Sequence, residues 1–388
     1  MRQDLCVSAD RIIDGTGEVL DGVTGVSITP AGNIDKLVCV PEQGPYNYPG
    51  CSLMPGLINV HDHLFTGRSS SQVGKSLDAA RRVILTLASG VTTTRDMGSP
   101  EGNVPDLRRA VDRGVIPGPQ IMTCIKAITT PGGPGAGLSI EVEGPEAAAQ
   151  AAREISSRGA DFLKVFASSD GTNHSPLLSI EEISAVAAVA HQSGLKLVAH
   201  ATTADSIERC IEAGVDGIEH GPELTESLAS EMVKRGILFA PTMSGFEVLV
   251  RRGPEWNRPT SVLDHFAEHV KTHPRAVQVA LAAGVEMATG GDSLGSVAQE
   301  ARMMHAAGVS LPDVIQAATL NAANYLGLDD VGRLEVGYRS DLLVVEGNPL
   351  TDVASLGMPV AVIRGSRVYQ VDSLLKVFPG DFLMAMQE

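Results

Sequence analysis

"DFLKVFASSDGTNHSPLLSIEEISAVAAVAHQSGLKLVAHA", residues 161–201, reads as a strand, a loop, a helix and a second strand. The outer runs, "DFLKVFA" and "LKLVAHA", are short, apolar and rich in β-formers. The middle, "SIEEISAVAAVAHQSG" (179–194), is longer and has a helical period. Ser179 with Glu182 three residues later makes a capping-box pattern, and Gly194 supplies the stop. Strand, helix, strand in this order is the unit of an α/β fold with parallel strands.

The same alternation extends in both directions, over residues 56–329. Seven of its strand candidates are "LINVHDH", "VTTTRDM", "QIMTCIKA", "DFLKVFA", "LKLVAHA", "VDGIEHG" and "ILFAPTM", and "VEMATGG" is the eighth. Helix candidates lie between them, such as "PEAAAQAAREISSRG" (145–159), with Pro145 suited to a first helical position and Gly159 to a C-terminal cap. Eight such units over roughly 270 residues suit a (β/α)8 TIM barrel, for which about 250 residues is typical. An open doubly wound sheet shares the alternation, and the placing of polar residues must decide between the two. The flanks, residues 1–55 and 330–388, carry short strand-like runs between turn residues, including "GRLEVGYRSDLLVVEGNPL" and "PVAVIRGSRVYQ". They are expected to form small antiparallel pieces that join into one accessory β-sandwich, since chain termini often lie close together.

Composition narrows the function. With 388 residues, 43% hydrophobic and 20% charged, the chain can bury a sizeable core, and only 4% aromatic residues leave that core to Ala, Val, Leu and Ile. A formal net charge of −16, with the acidic residues scattered, argues against nucleic acid or an anionic membrane surface as partner. Cys6, Cys39, Cys51, Cys124 and Cys210 are far apart and odd in number, which argues against a disulfide framework and fits a reducing cytoplasm. No signal peptide or membrane span is legible. The expectation is a cytoplasmic protein acting on a small molecule, with a homo-oligomer left open.

The polar residues fall in a pattern. His61 and His63 are two apart in an extended run, so both face one side while Asp62 faces the other. Later strand candidates each add one unusual polar residue near the C-terminal end: Lys164 in "DFLKVFA", His200 in "LVAHA", His220 in "GIEHG" and Asp292 after "ATGG". In a barrel these ends share one face, where catalytic groups collect. A lysine among Phe162, Leu163, Val165 and Phe166 is costly to bury unless neutralised or paired. Any one histidine alone is readily a hydrogen-bonded structural residue; four imidazoles with a carboxylate and a neutral or modified lysine suit a borderline divalent metal.

"PGLINVHDHL", "DFLKVFAS", "LVAHA", "GIEHG" and "GGDS", followed by "GRLEVGYRSDLLVVEGNP", resemble the amidohydrolase superfamily, in particular its prolidase-like (Xaa-Pro dipeptidase) and imidazolonepropionase-like branch, over nearly the whole chain. The resemblance implies a (β/α)8 barrel, a small β-sandwich from the two termini and a binuclear centre, usually of zinc. It implies that His61, His63 and Asp292 hold the more buried metal and His200 and His220 the more exposed one, with carbamylated Lys164 bridging both. Burial would lower the lysine from its usual value of about 10.4 and expose a neutral amine able to capture carbon dioxide. The reaction expected is hydrolysis of a C–N bond in an amide, peptide-like, carbamate or cyclic-amide substrate. A metal-bridging hydroxide would attack, and Asp292 would be both ligand and proton shuttle.

The chain also departs from that branch. Relatives commonly carry "GGHG" after the third strand, where this chain has "TTPGGPGAG" with Pro134, and a tyrosine after the "PT" of the seventh strand, where it has Phe246. Both changes favour a less polar amide over a dipeptide with a free carboxylate. His174, in the loop after the lysine strand, is a candidate substrate contact, as are Phe246 and Pro134. "PGGPGAG" lacks the ending of a phosphate loop and reads as a lid. Arg95 and Asp96 read as a buried ion pair supporting the metal shell. His265 and His269, four apart on a helix, read as a solvated surface because the glutamate of a HExxH site is missing. Two other functions remain open: a mononuclear deaminase or imidazolone-type hydrolase in which Lys164 is only structural, and a non-catalytic barrel scaffold, against which the six retained ligand positions argue.

Overall fold

The computed structural model describes residues 5–38, 46–66, 69–169 and 177–376. The central unit is a ring of parallel strands. Leu57–Asp62 pairs with Val91–Asp96, which pairs with Gln120–Thr123; Ala127–Thr129 pairs with Leu163–Phe166, followed by Leu197–Ala201, Gly217–His220 and Leu238–Ala240. The third position departs from its expected single run: "QIMTCIKA" is two strands, broken at Ile125, which sits at φ 64°. The eighth, "VEMATGG", forms a single bridge rather than a strand, but it closes the ring. On one side Phe239 N donates to Glu286 O at 3.0 Å and Ala288 N to Phe239 O at 2.9 Å; on the other, Val60 N donates to Thr289 O at 3.0 Å. Closure excludes the open doubly wound sheet.

Strand alternation sorts side chains into two layers. Ile58, Val60, Phe162, Val198, Ala240 and Ala288 fill the barrel interior. Leu163, Val165, Leu197, Ala199 and Ile218 face outward, where Ile155, Val186, Ile207 and Met232 of the surrounding helices cover them. The helices begin where the sequence places them. Ser179 and Glu182 form both arms of a capping box at Ile180–Gln192, and Pro145 opens Pro145–Ser157.

The terminal segments form one seven-stranded sheet in the order Arg367–Gln370, Pro359–Arg364, Leu342–Glu346, Asn47–Pro55, Leu5–Ile12, Gly25–Ile28, Ile34–Val38. It is not wholly antiparallel as expected. Leu5–Ile12 and Asn47–Pro55 run parallel, because the chain reaches the far side of the first strand by a crossover rather than a hairpin. The sheet rolls until its two ends meet: Ser340 Oγ lies 2.7 Å from Gly32 O and 2.9 Å from Gly365 O, with its one proton shared between them. A Cβ on Gly32 would lie 2.7 Å from Gly365 Cα, so the seam needs glycine. Inside lie Val7, Ile12, Val26, Ile34, Leu53 and Ile363. In Leu342–Glu346, Leu342 and Val344 join this sandwich core while Leu343 and Val345 join the barrel's outer core, so period two makes one strand serve both. No helix among the described residues is long and apolar enough to cross a membrane.

Candidate metal centre

All six side chains singled out from the strand ends gather at one mouth of the barrel. His61, His63, Lys164, His200 and His220 are buried, and the Asp292 side chain keeps 22% of its surface exposed. Ring centroids of His61 lie 5.6 Å from His63 and 4.8 Å from His220, and His200 lies 4.5 Å from His220. Asp292 Oδ1 is 3.5 Å from His61 Nε2 and 3.8 Å from His63 Nε2. One nitrogen or oxygen from each of His61, His63 and Asp292 falls within a 4.8 Å span, and this is the only such group of three among the described residues.

The backbone departs from regular geometry where the ligands sit. The pairing register of the first strand shifts between Asn59 and Asp62, which lets His61 join His63 above the inward-facing Ile58 and Val60. His220 sits at φ 75°, so it and Glu219 both reach the centre despite being adjacent. Asp292 and Ser293 sit at φ 44° and 66°. Their loop is tied down twice: Asp292 N donates to His61 O at 2.9 Å, and Arg82 Nη2 donates to Ser293 O at 2.6 Å and Asp62 Oδ1 at 2.5 Å.

Three tautomers follow from hydrogen bonds. His63 Nδ1 lies 3.1 Å from Gly98 O, which can only accept, and His61 Nδ1 lies 2.7 Å from the Glu219 carboxylate. Thr242 Oγ1 gives its proton to Pro241 O and therefore accepts from His220 Nδ1 at 2.6 Å. Each ring thus carries its proton on Nδ1 and leaves the Nε2 lone pair for a metal, the arrangement by which outer partners orient metal-ligating histidines. His200 Nε2 is buried with no hydrogen-bond partner among the described residues. Converging lone pairs around an anionic carboxylate fit a bound divalent cation.

Electrostatics agree with that donor set. Burial, reinforced by the Lys164 charge, drives His61, His200 and His220 far below the usual imidazole range. Burial lowers His63 to about 4, again helped by Lys164. Rings lowered in this way are neutral at physiological pH, the state in which an imidazole can bind a metal. Burial raises Asp292 to about 6 against the pull of Lys164. Burial also lowers Lys164, and Glu219 and Asp292 oppose the shift. Its Nζ sits 5.2 Å from the Phe166 ring, and no salt bridge to it is present among the described residues.

Other expectations fare differently. Arg95 and Asp96 do not pair. Arg95 Nη2 donates to Glu219 Oε1 at 2.7 Å, and its guanidinium lies between the rings of Phe162 and Tyr325, 4.8 and 4.4 Å from their centroids. Asp96, raised to about 7 by burial, accepts from Leu64 N and Gly98 N and so shapes the turn that presents Gly98 O to His63. The sequence reading missed Glu219, which is fully buried and accepts from Arg95, from Tyr325 Oη at 2.7 Å and from His61. A carboxylate inside the apolar strand "GIEH" was the available signal. Phe246 is buried and stacks on His220 at 5.0 Å, and Phe166 packs 5.1 Å from His200. Pro134 is buried in a loop that packs tightly on the barrel, since a Cβ on Gly135 would lie 2.4 Å from Phe166 Cζ. His174 lies outside the described residues. The solvated helix surface expected at His265 and His269 is a correction: His269 is 5% exposed, because Phe246 and Phe266 cover that face of Thr260–Ala283.

A closed barrel with imidazoles and a carboxylate converging on its C-terminal face is a scaffold for holding a cation against a small molecule. The sequence model of the Amidohydrolase family matches residues 52–368, and the chain belongs to that family. It is 27% identical to an ochratoxinase of Aspergillus niger across 95% of this chain and 83% of the relative. Among solved structures it resembles a Xaa-Pro dipeptidase with methionine bound in the active site, at TM-score 0.85 and 26% identity over 95% of this chain and 100% of the other. A putative prolidase from Bifidobacterium longum superposes at TM-score 0.83 with 28% identity, over 97% and 98% of the two chains.

Proposed function

We propose that the protein is a binuclear metal-dependent hydrolase of a C–N bond in a small molecule, with residues 56–329 as the catalytic barrel and 1–55 with 330–388 as the accessory sandwich. The observation that carries the reading is the set of three histidines whose Nε2 lone pairs are freed by hydrogen bonds at Nδ1, beside Asp292. His61, His63 and Asp292 would hold one ion, His200 and His220 the other, and Lys164 as a carbamate would bridge them; zinc suits nitrogen and oxygen donors of this kind. Divalent ions held by these residues would supply Lewis-acid chemistry, polarising a carbonyl oxygen and lowering the pKa of water. Asp292 takes the proton of the attacking water on its carboxylate and delivers it to the leaving nitrogen. Burial raises the proton affinity of this carboxylate, which suits a group that must both take and return a proton. Glu219, clamped by Arg95 and Tyr325, fixes His61.

The amide reading draws on the ochratoxinase and the dipeptidase that the chain resembles. Phe246 and Pro134, proposed to wall the pocket, offer no side-chain donor for a terminal carboxylate, which favours a less polar or differently shaped amide than a dipeptide. Cys6, Cys51, Cys124 and Cys210 are free, which supports a cytoplasmic setting. The test is incubation of the metal-loaded protein with N-acyl amino acids, dipeptides, cyclic amides and carbamates, reading amine release. Hydrolysis of one class is expected, and no turnover of any class with zinc, cobalt or manganese would refute the reading. A mononuclear centre is the second reading, favoured by the compactness of His61, His63 and Asp292 alone. Metal content of one equivalent with an unmodified Lys164 would establish it.

A further inference from the structure

Thr260–Ala283 carries His265, His269 and His273 at intervals of four, so all three lie along one helical ridge. The ridge runs from the barrel mouth outward. At its inner end His273 Nε2 donates to His220 O at 3.0 Å, which commits that ring. His265 and His269 are different. Their Nε2 atoms approach to 3.1 Å, the rings are 4.4 Å apart at 81°, and no backbone carbonyl or carboxylate is bonded to either nitrogen among the described residues. Phe266 edges both rings, and Phe246 lies between His269 and His220, while both rings of the pair are close enough for their charges to act on His200.

We propose that His265 and His269 form an accessory chelate for a borderline divalent cation such as Zn(II), across Phe246 from His220 and additional to the ions of the catalytic centre. Two metal–nitrogen bonds of about 2.0–2.1 Å that span the 3.1 Å between these atoms subtend roughly 100°, between the octahedral and tetrahedral angles. The separation of the two nitrogens therefore already suits a shared ion, which a small rotation of the rings would bring onto both lone pairs. Burial lowers His269 to about 4, with His265 adding to the shift, so the His269 ring is neutral near pH 7. No third His, Cys, Asp or Glu of the described residues completes the set, so water fills the remaining positions and binding is weaker than at the catalytic centre. In the absence of metal one imidazole N–H donates to the other ring, which keeps the two nitrogens converged. An ion here narrows the entrance beside Phe246 and inhibits substrate entry when divalent metal is in excess.

The experiment is equilibrium dialysis of the full chain against Zn(II), comparing wild type with His265→Ala and with His265→Ala/His269→Ala. Both variants are expected to bind one equivalent fewer than wild type, whatever number the catalytic centre holds, so the comparison stands apart from the hydrolase reading. The partly exposed His265 single variant guards against misfolding at the buried His269. If the protein proves a hydrolase, excess Zn(II) should inhibit wild type and leave the variants uninhibited. Equal stoichiometry in all three proteins overturns the proposal. So does a rise in substrate KM in the variants with no loss of bound metal, which would make the pair a substrate contact instead.

Discussion

Glu219→Gln tests the centre at a residue that touches no metal. Three donors converge on the Glu219 carboxylate: Arg95 Nη2, Tyr325 Oη and His61 Nδ1, each at 2.7 Å. A glutamine offers one oxygen, which can keep Arg95 and Tyr325, and an NH2 group that then faces the protonated Nδ1 of His61. Two donors cannot bond, so His61 must move its proton to Nε2, the nitrogen proposed to hold a metal. Loss of such an outer partner typically lowers metal affinity by about 10- to 100-fold. The substitution also strips Arg95, 1% exposed, of its only salt bridge among the described residues. Leaving one partner of a buried pair uncompensated costs about 3–5 kcal/mol. The assays are zinc affinity by competition with a chromogenic chelator, and guanidinium unfolding followed by circular dichroism with the metal removed. An affinity within threefold of wild type, together with a stability change under 1 kcal/mol, would refute the clamp.

Lys164→Ala should lose bound metal and hydrolysis together, and the intact wild-type chain in native mass spectrometry should show the added mass of one carbon dioxide that the variant lacks. Burial raises Glu300 from 4.5 to about 7 while it accepts from Met243 N and Ser244 N. A folded pKa above the unfolded one makes its contribution greatest below pH 4.5 and lost as pH rises towards 7. The Glu300→Gln variant loses one of these two acceptors at every pH, but its stability relative to wild type should rise by up to about 3 kcal/mol between pH 4.5 and 7 in unfolding titrations, and parallel curves for the two proteins would contradict the assignment. Ser179→Ala removes half of a capping box and should cost about 0.5–2 kcal/mol by the same measurement.

The barrel was legible because each unit carries its own punctuation. The capping box at Ser179 and the proline at 145 mark helix starts that the structure reproduces. Convergence of His61, His63, His200, His220, Lys164 and Asp292 was legible for a geometric reason: parallel strands of a closed ring share one C-terminal face. Features set by contacts between distant segments were not legible. Glu219 sits beside a histidine already assigned, and its three partners lie far along the chain in Arg95, Tyr325 and His61. His269 reads as surface because its helix alternates polar and apolar residues, and only the packing of Phe246 against that helix buries it. The break at Ile125 and the parallel pairing of Leu5–Ile12 likewise depend on the partner strand rather than on local propensity.

Leu342–Glu346 contributes alternate side chains to two hydrophobic interiors, and it lies near the end of the chain. During synthesis the strands of the ring therefore leave the ribosome before Leu343 and Val345 can cover them. The nascent ring waits with an uncovered greasy flank until this later strand arrives and covers sandwich and barrel together. Truncation before residue 342 should therefore yield an aggregating product rather than a smaller working enzyme.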